Sequence, residues 1–101
     1  MGVSRLDRDP EYKAPTRRFF YIYILYSKSF DRYYVGSTEN VESRLLRHNS
    51  KMVTSTKKYI PWSVVYTEQF LSRSEAVNRE NQIKKMKSRK YIEALISKNQ
   101  D

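Results

Sequence analysis

Five side chains in this sequence combine reactive chemistry with a regular order along the chain: Tyr23, Tyr34, Arg44, His48 and Glu80. A tyrosine can serve as a base, or can orient a water molecule, if a nearby metal or cation lowers its pKa from about 10. Arginine offers a planar fork of donors that fits a phosphate group. A single glutamate, together with waters and substrate oxygens, can hold Mg²⁺. Phosphodiester hydrolysis needs a base, a cation against developing negative charge and often a divalent metal, so these residue types indicate a site for that chemistry.

Ordinary structural roles also explain each of these side chains taken singly. Strand tyrosines usually pack in or on a core. A helical arginine usually pairs with a nearby carboxylate, and Arg44 has Glu39 and Glu42 close by in sequence. Glu80 has Lys84 four residues later, the spacing of an ordinary ion pair on a helix surface. The single histidine cannot build a His-based metal site. Composition and periodicity alone therefore favour a basic α+β domain that binds nucleic acid.

Two aromatic-rich runs predict the hairpin that would carry both tyrosines. Phe19–Ser27 is a nearly continuous run of aromatic and β-branched residues, which predicts a first strand. Lys28–Asp31 supplies a turn, and Arg32–Ser37 predicts a second strand antiparallel to the first. Gly36 stands where we expect the second strand to turn toward a helix. Closure of the hairpin would bring the two tyrosines together.

A helix with a mixed polar and apolar face follows the hairpin. Thr38 or Asn40 can cap its N-terminus, and we expect it to end near Asn49. At about 100° per residue, one face carries two core residues with an arginine and a histidine: Val41, Arg44, Leu45 and His48. Charged groups seldom lie on an inward face without a partner, so this face is the second candidate wall of the site.

One more strand and two more helices are predicted in the second half of the chain. A polar, basic loop over Ser50–Pro61 precedes a third strand over Trp62–Phe70. Ser72 and Glu75 have the spacing of a capping box, which predicts a helix to about Lys87. Ser88 can cap a last helix, whose apolar stripe comprises Tyr91, Ile92, Leu95 and Ile96.

The helix that contains Glu80 has its apolar side at Ala76, Ile83 and Met86. Glu80 lies inside that arc, where a carboxylate costs free energy unless it is paired or bound to a metal. The order β-β-α-β-α-α with short connections predicts a single α+β domain over residues 19–98. In it, helices flank a small three-stranded antiparallel or mixed sheet.

The net charge indicates a polyanionic partner. The 101 residues contain 20 Lys and Arg against 11 Asp and Glu, a formal charge of +9. Nucleic acid is the first candidate, with an anionic membrane surface as the alternative. Residues 1–18 mix charges with two prolines and show no apolar period, which predicts a disordered basic tail. Candidate phosphate contacts lie in the basic loop and in the basic run after Glu80: Lys57, Lys58, Lys84, Lys85, Lys87 and Arg89.

Cysteine and long apolar runs are both absent from the sequence. The lack of cysteine excludes disulfides, thiolate catalysis and Cys-type zinc sites. No apolar run approaches the roughly 18–20 residues that span a bilayer, and the N-terminus shows no apolar signal-peptide core. We therefore expect a cytoplasmic, nucleoid-associated protein of bacterial type with no membrane partner.

The order of these residues resembles the GIY-YIG nuclease family. Tyr21-Ile22-Tyr23 stands where the family has Gly-Ile-Tyr, and Tyr34-Val35-Gly36 stands where it has Tyr-Ile-Gly. The similarity continues through Arg44, His48 and the segment Arg79–Lys84. It covers nearly the whole predicted domain and is greatest to the small stand-alone branch, which resembles the N-terminal nuclease domain of the bacterial excinuclease.

This resemblance implies a role for each residue of the site. Tyr23 would be the general base or would orient the attacking water, with Tyr34 as its partner. Arg44 would hold the scissile phosphate, and His48 would hydrogen-bond to phosphate or to a tyrosine. Glu80 would ligate one Mg²⁺ or Mn²⁺. The implied activity is that of a metal-dependent endonuclease on DNA in repair, recombination or mobile elements, with other repair proteins as candidate partners.

Two departures from the family pattern keep other interpretations open. Val35 for isoleucine is a trivial exchange on a strand, but Tyr21 replaces the first motif glycine and would narrow the approach to Tyr23 unless its ring faces away. A non-catalytic nucleic-acid-binding domain on the same fold is the first alternative. A partner-binding module of a repair assembly is the second. The sequence is also compatible with RNA as the substrate in place of DNA. It is compatible with a monomer and with a weak dimer.

Overall fold

The structure is a computed structural model that describes residues 18–98. The tail predicted over residues 1–18 lies outside this part of the chain except for Arg18, and the domain limits of 19–98 stay a prediction. The elements are β1 Phe20–Ser27, β2 Arg32–Thr38, α1 Val41–Asn49, a short 3-10 helix Lys57–Tyr59, β3 Ser63–Phe70, α2 Arg73–Met86 and α3 Arg89–Lys98. The predicted order and the α+β class are confirmed. None of these helices is long and apolar enough to cross a membrane.

The three strands form one antiparallel sheet in the order β2-β1-β3. In the hairpin, Tyr23 lies opposite Gly36 and Leu25 lies opposite Tyr34. Gly36 is therefore an interior residue of β2, and its φ is not positive. The expectation that Gly36 marks a turn toward the helix is wrong, because the strand continues to Thr38 before the chain turns.

Each face of the sheet packs against a different layer. Ile22, Ile24 and Val35 face α2 and α3 and form the larger apolar core with buried side chains of those helices. Tyr23 and Leu25 face the opposite way and pack with Trp62 and with partly buried residues of α1 and of the loop that follows it. Alternation along β1 thus separates an aliphatic core from an aromatic one.

The predicted caps account for where the helices begin. The Asn40 side chain accepts a hydrogen bond from the Ser43 backbone N–H at 2.9 Å, so Asn40 caps α1 and Thr38 does not. The Ser72 hydroxyl accepts from the Glu75 N–H at 3.2 Å, as its position in the predicted capping box requires. Met86 is the last residue of α2 and 50% exposed, so its predicted place on the apolar side of the helix is wrong.

Candidate active site

Tyr23 and His48 meet inside the aromatic core. Tyr23 is 1% exposed and His48 is 1% exposed, although one lies on β1 and the other on α1. The Tyr23 hydroxyl lies 3.0 Å from His48 Nε2, and His48 Nδ1 lies 2.8 Å from the Thr56 hydroxyl. A continuous chain of hydrogen bonds therefore runs from β1 through α1 into the loop after α1.

The donor and acceptor in each of these hydrogen bonds follow from the contacts of the Thr56 hydroxyl. The Thr56 hydroxyl also contacts the Val53 carbonyl oxygen at 3.4 Å, which can only accept. Thr56 then donates to Val53 and accepts from the Nδ1–H of His48. This leaves Nε2 without a proton, so the Tyr23 hydroxyl donates to it. We assign this tautomer from the hydrogen-bond network.

Burial keeps both members of the Tyr23–His48 pair neutral near pH 7. Burial, with a smaller contribution from Tyr34, raises the pKa of Tyr23 to about 12, against an opposing effect of the Arg44 guanidinium. Burial also lowers the pKa of His48, and the positive charges of Arg44 and Arg47 lower it further. The Arg44 guanidinium alone therefore does not bring the pKa of Tyr23 below its ordinary value, the condition stated above for a tyrosine base, because desolvation outweighs it.

Gly36 provides the space that the Tyr23 ring occupies. A Cβ atom built on Gly36 would lie 2.5 Å from the Tyr23 hydroxyl oxygen and 2.6 Å from the adjacent ring carbon. Contacts that short do not occur in real proteins, so a side chain here would push the phenol away from His48. The motif glycine is required by the close approach of a ring to the backbone of β2.

Tyr34 lies beside this pair but nearer to the surface. Its ring centroid is 6.3 Å from that of Tyr23 and 4.8 Å from that of His48. It is partly buried, whereas Tyr23 is fully enclosed. The structure thus brings both predicted tyrosines and the histidine together, with Tyr34 the more exposed of the two tyrosines.

Arg44 belongs to a groove lined by basic residues next to the tyrosines. The groove has a volume of about 260 Å³ and is lined by Ser37, Thr38, Glu39, Asn40, Ser43, Arg44, Arg47 and Arg73. Glu39, one of the two partners considered for Arg44, instead pairs with Arg73 at 2.9 Å and with Arg18 at 3.4 Å. In the described part of the chain, no carboxylate forms an ion pair with Arg44. Its guanidinium is available to an anion.

Glu80 approaches the site from the other face of the sheet. Its Oε1 accepts a hydrogen bond of 2.7 Å from Ser37, which lies opposite Ile22 and so on the aliphatic side. Its Oε2 pairs with Lys84 Nζ at 2.6 Å. Because β2 is an edge strand, the Lys84 ammonium lies 6.0 Å from the ring centroid of Tyr34. The carboxylate contributes to the charge around Tyr23, where it acts to raise the pKa.

The chemistry of these groups fits a divalent ion held by one carboxylate. Within residues 18–98, no group of three or more His, Cys, Asp or Glu side chains could hold a metal. Mg²⁺ often binds through one or two carboxylates and keeps several waters, with substrate phosphate completing its shell. Glu80 would be the single protein carboxylate of such a site, and the cation now on its Oε2 is an ammonium.

The predicted nucleic-acid contacts fall into two groups. Lys57 and Lys58 are exposed on the 3-10 helix, and Lys85 and Lys87 are exposed at the end of α2. Arg89 is engaged within the protein, where its guanidinium binds the Asp31 carboxylate and Glu93 Oε2. The Asp31 contact ties the hairpin turn to α3, so Arg89 has a structural partner that the sequence did not indicate.

Sequence reasoning missed Phe30 and Arg32, which contact Tyr59 of the basic loop. The Arg32 guanidinium stacks 4.3 Å from the ring centroid of Tyr59, and Phe30, 50% exposed, lies edge-on to that ring at 5.4 Å. Aromatic rings among basic side chains are typical of surfaces that bind nucleobases. Thr56 and Arg47 were also missed. Only the basic character of the loop and helix hinted at these residues, and nothing in their spacing linked them to the site.

Tyr21 lies on the same face of β1 as Tyr23, since alternate residues of a strand share a face. It lines a shallow groove with Asn40 and Val41 at the start of α1. The residue that replaces the first motif glycine therefore does not face away from the candidate site.

Comparison with known proteins gives a consistent result. A family model described as the GIY-YIG catalytic domain matches residues 19–92. The UPF0213 protein of Staphylococcus haemolyticus is 45% identical over 65 residues, covering 63% of this chain and 78% of that protein. A UPF0213 protein of Streptococcus pneumoniae is 35% identical over 82 residues, covering 80% and 81%. That of Natronomonas pharaonis is 37% identical over 78 residues, covering 76% and 89%. No solved structure matches the chain.

Proposed function

The chain belongs to the GIY-YIG nuclease family, and on that premise we propose that it is a metal-dependent endonuclease that hydrolyses DNA phosphodiester bonds. The observation that carries the proposal is the buried hydrogen-bond chain from Tyr23 through His48 to Thr56, beside an arginine with no carboxylate partner in the described residues. A buried tyrosine hydroxyl needs a hydrogen-bond acceptor in any case. An imidazole with no proton on Nε2 is an acceptor that can also take the proton, which supports a role in proton transfer.

Tyr23 and His48 would act together on the attacking water. The water oxygen would form a bond to phosphorus while one of its protons moves to the Tyr23 oxygen; because Tyr23 is 1% exposed, this step requires substrate binding to open a path for the water. At the same time the Tyr23 proton moves to His48 Nε2, which has no proton of its own in the assigned tautomer. With its pKa raised to about 12, the Tyr23 phenol is almost never ionised near pH 7. The transfer described here does not require ionised tyrosine, because the phenol gives up its own proton as it accepts one from water. The imidazolium that forms is stabilised by the Thr56 hydroxyl and later returns its proton to solvent.

Arg44 would bind the scissile phosphate from the basic groove. Its guanidinium lies next to Tyr23, which supports a role in stabilising the charge that would develop as the phosphorus becomes five-coordinate. Loss of one such group typically costs about 10²–10³-fold in rate. The metal, when bound at Glu80, supplies Lewis-acid stabilisation of the phosphate and of the departing oxygen. That oxygen leaves with a proton from solvent, and the products are a phosphate monoester and an alcohol.

The surface around the site supports a nucleic-acid substrate. Lys57 and Lys58 flank the stacked pair of Arg32 and Tyr59, so phosphates and nucleobases would both find partners there. The process served would be repair, recombination or the movement of mobile elements, with other repair proteins as candidate partners.

A non-catalytic DNA-binding domain is the second candidate. The observation that favours it is Tyr21, which shares the Tyr23 face at the position of the first motif glycine. In a non-catalytic domain, the basic groove and the loop lysines would bind phosphate, but water and metal would not reach the buried Tyr23.

Cleavage of a panel of labelled DNAs tests the proposal. Supercoiled plasmid, single strand, nicked duplex, flap and four-way junction would each be incubated with Mg²⁺, with Mn²⁺ and with chelator. The native protein would be compared with Tyr23→Phe, His48→Gln and Glu80→Gln. We expect metal-dependent cleavage that all three substitutions abolish or reduce by at least about 10²-fold. DNA binding without cleavage in every condition would contradict the proposal and favour the second candidate.

A further inference from the structure

The Lys84–Glu80 ion pair differs from an ordinary ion pair on a helix surface. Its ammonium contacts Glu80 Oε2 at 2.6 Å, while Ser37 donates to the other oxygen of the same carboxylate at 2.7 Å. The Glu80 side chain is only 16% exposed, whereas both partners of a typical pair four residues apart are solvated. Both oxygens of the proposed metal ligand are therefore engaged.

The direction of the Lys84 side chain links this pair to the site. The ammonium lies 6.0 Å from the ring centroid of Tyr34, which faces the site, so the Lys84 side chain reaches the edge of β2 beside the site. Ser37 belongs to the strand itself and holds Oε1 from a fixed position. Oε2 is accordingly the oxygen that a metal would take, and Lys84 is the group that it would displace.

We infer that Lys84 is a positioning residue that serves as the resident cation of the metal site. This inference rests on the proposed function, because it assumes that Glu80 is the metal ligand. In the absence of metal, the ammonium neutralises the half-buried carboxylate and keeps Oε2 aimed at the site. A divalent ion has to displace it, so metal binding to the free protein is weak.

Substrate would relieve this competition. A DNA phosphate beside Tyr34 offers the displaced ammonium a new anion and supplies further oxygens to the metal. Metal and DNA would thus strengthen each other's binding, and the coupling would be reciprocal, as thermodynamic linkage requires. Lys84 would limit metal binding to occasions when a substrate is present.

Binding of Mn²⁺ to the DNA-free protein, followed by the electron paramagnetic resonance signal of free Mn²⁺, tests the inference. Lys84→Met should bind Mn²⁺ about tenfold more tightly than the native protein, a typical size for such coupling. Lys85→Met is the matched control, because it removes the same charge from an exposed neighbour on the same helix. It should change the affinity much less. Adding an uncleavable phosphorothioate DNA should tighten Mn²⁺ binding to the native protein and have less effect on Lys84→Met.

Glu80→Gln separates failure of this inference from failure of the proposed function. If Glu80→Gln binds Mn²⁺ as the native protein does, alone and in the Lys84→Met background, Glu80 is not the ligand and both proposals fail at the metal site. If Glu80→Gln abolishes binding but Lys84→Met binds no more tightly than Lys85→Met, Lys84 is not the competing cation. The metal site then stands without it. Because Lys84 is half exposed, its substitution should leave the protein folded. A thermal unfolding curve of each variant, recorded before the titration, checks that the variant is folded.

Discussion

Substitution of Gly36 by alanine tests whether the position of the Tyr23 hydroxyl determines activity. The added Cβ would lie 2.5 Å from that oxygen, whereas ordinary van der Waals contact begins at 3.4 Å. The hydroxyl must therefore move by about 1 Å, because the contact is with a ring rather than with a flexible chain end. The Tyr23 ring is 1% exposed and packed against Leu25 and Trp62, so it cannot move freely.

The expected effect on rate is larger than the effect on stability. A displacement of about 1 Å at a reacting group can reduce the rate by about 10²-fold. Overpacking of the core by one methyl group costs about 1–3 kcal/mol of unfolding free energy. The exposed lysines are not displaced, so DNA affinity should fall much less than the rate.

Single-turnover cleavage, binding by fluorescence anisotropy and urea unfolding would be measured on the same Gly36→Ala preparation. Leu95→Ala is the control, because Leu95 is buried on the opposite face of the sheet. It should lose about 2–5 kcal/mol while the folded fraction cleaves at the native rate. If folded Gly36→Ala cleaves within a few-fold of the native protein, the exact position of the Tyr23 hydroxyl does not matter and the proposed proton transfer is refuted.

Three further predictions concern pH, phosphate contact and a structural ion pair. With the pKa of His48 lowered by burial, kcat/KM should rise with pH to a plateau whose midpoint lies below 6.5; a rise that continues above pH 8 would show that a free phenolate is needed instead. Arg47→Met should reduce the slope of log affinity against log salt by about 1, equally on all DNA sequences, as measured by anisotropy titrations at several salt concentrations. Arg79→Met should remove about 1–3 kcal/mol of unfolding free energy, because Arg79 donates two hydrogen bonds, of 2.8 Å and 2.9 Å, to the half-buried Glu68 carboxylate. Cleavage by the folded fraction should be unaffected in that variant, and a rate loss without a stability loss would contradict its structural role.

Local signals were sufficient to predict the hairpin and the helix starts. Aromatic runs around a polar turn specify two antiparallel strands. The Ser72 and Ser88 hydroxyls accept hydrogen bonds from backbone N–H groups in the first turns of α2 and α3, as predicted for residues that cap helices. The helical period also placed His48 on the inward face of α1 correctly. These features depend on residues close together in sequence, so local sequence patterns are enough to predict them.

Features that depend on how the layers pack could not be predicted in the same way. Glu80 lies on the aliphatic side of the sheet and reaches the site only because β2 is an edge strand, which no local pattern reveals. The partner of His48 is Thr56, a residue of an irregular loop. The function of Gly36 depends on a ring that is thirteen residues away in sequence and directly opposite in the hairpin. In each case the partner is determined by strand register or loop path rather than by sequence spacing.

Thr56→Val would show whether the orientation of His48 is part of the chemistry or only of the packing. Valine matches threonine in shape, but its side chain cannot accept a hydrogen bond from the Nδ1–H of His48. The buried imidazole would then lose its acceptor, at a cost of about 1–3 kcal/mol of unfolding free energy. It would favour the tautomer that carries its proton on Nε2, which faces the Tyr23 hydroxyl at 3.0 Å.

In that tautomer His48 cannot take the proton of Tyr23, so cleavage should fall by about 10²-fold or more, the range expected for loss of a positioned proton acceptor. Thr56→Ser keeps the hydroxyl and should retain most of the rate even if it is similarly destabilised. Nitrogen-15 chemical shifts of the single histidine identify the tautomer directly, with the proton on Nδ1 in the native protein and in Thr56→Ser and on Nε2 in Thr56→Val. If Thr56→Val shows the changed tautomer and still cleaves as Thr56→Ser does, His48 only supports the Tyr23 ring. Another group must then accept the proton.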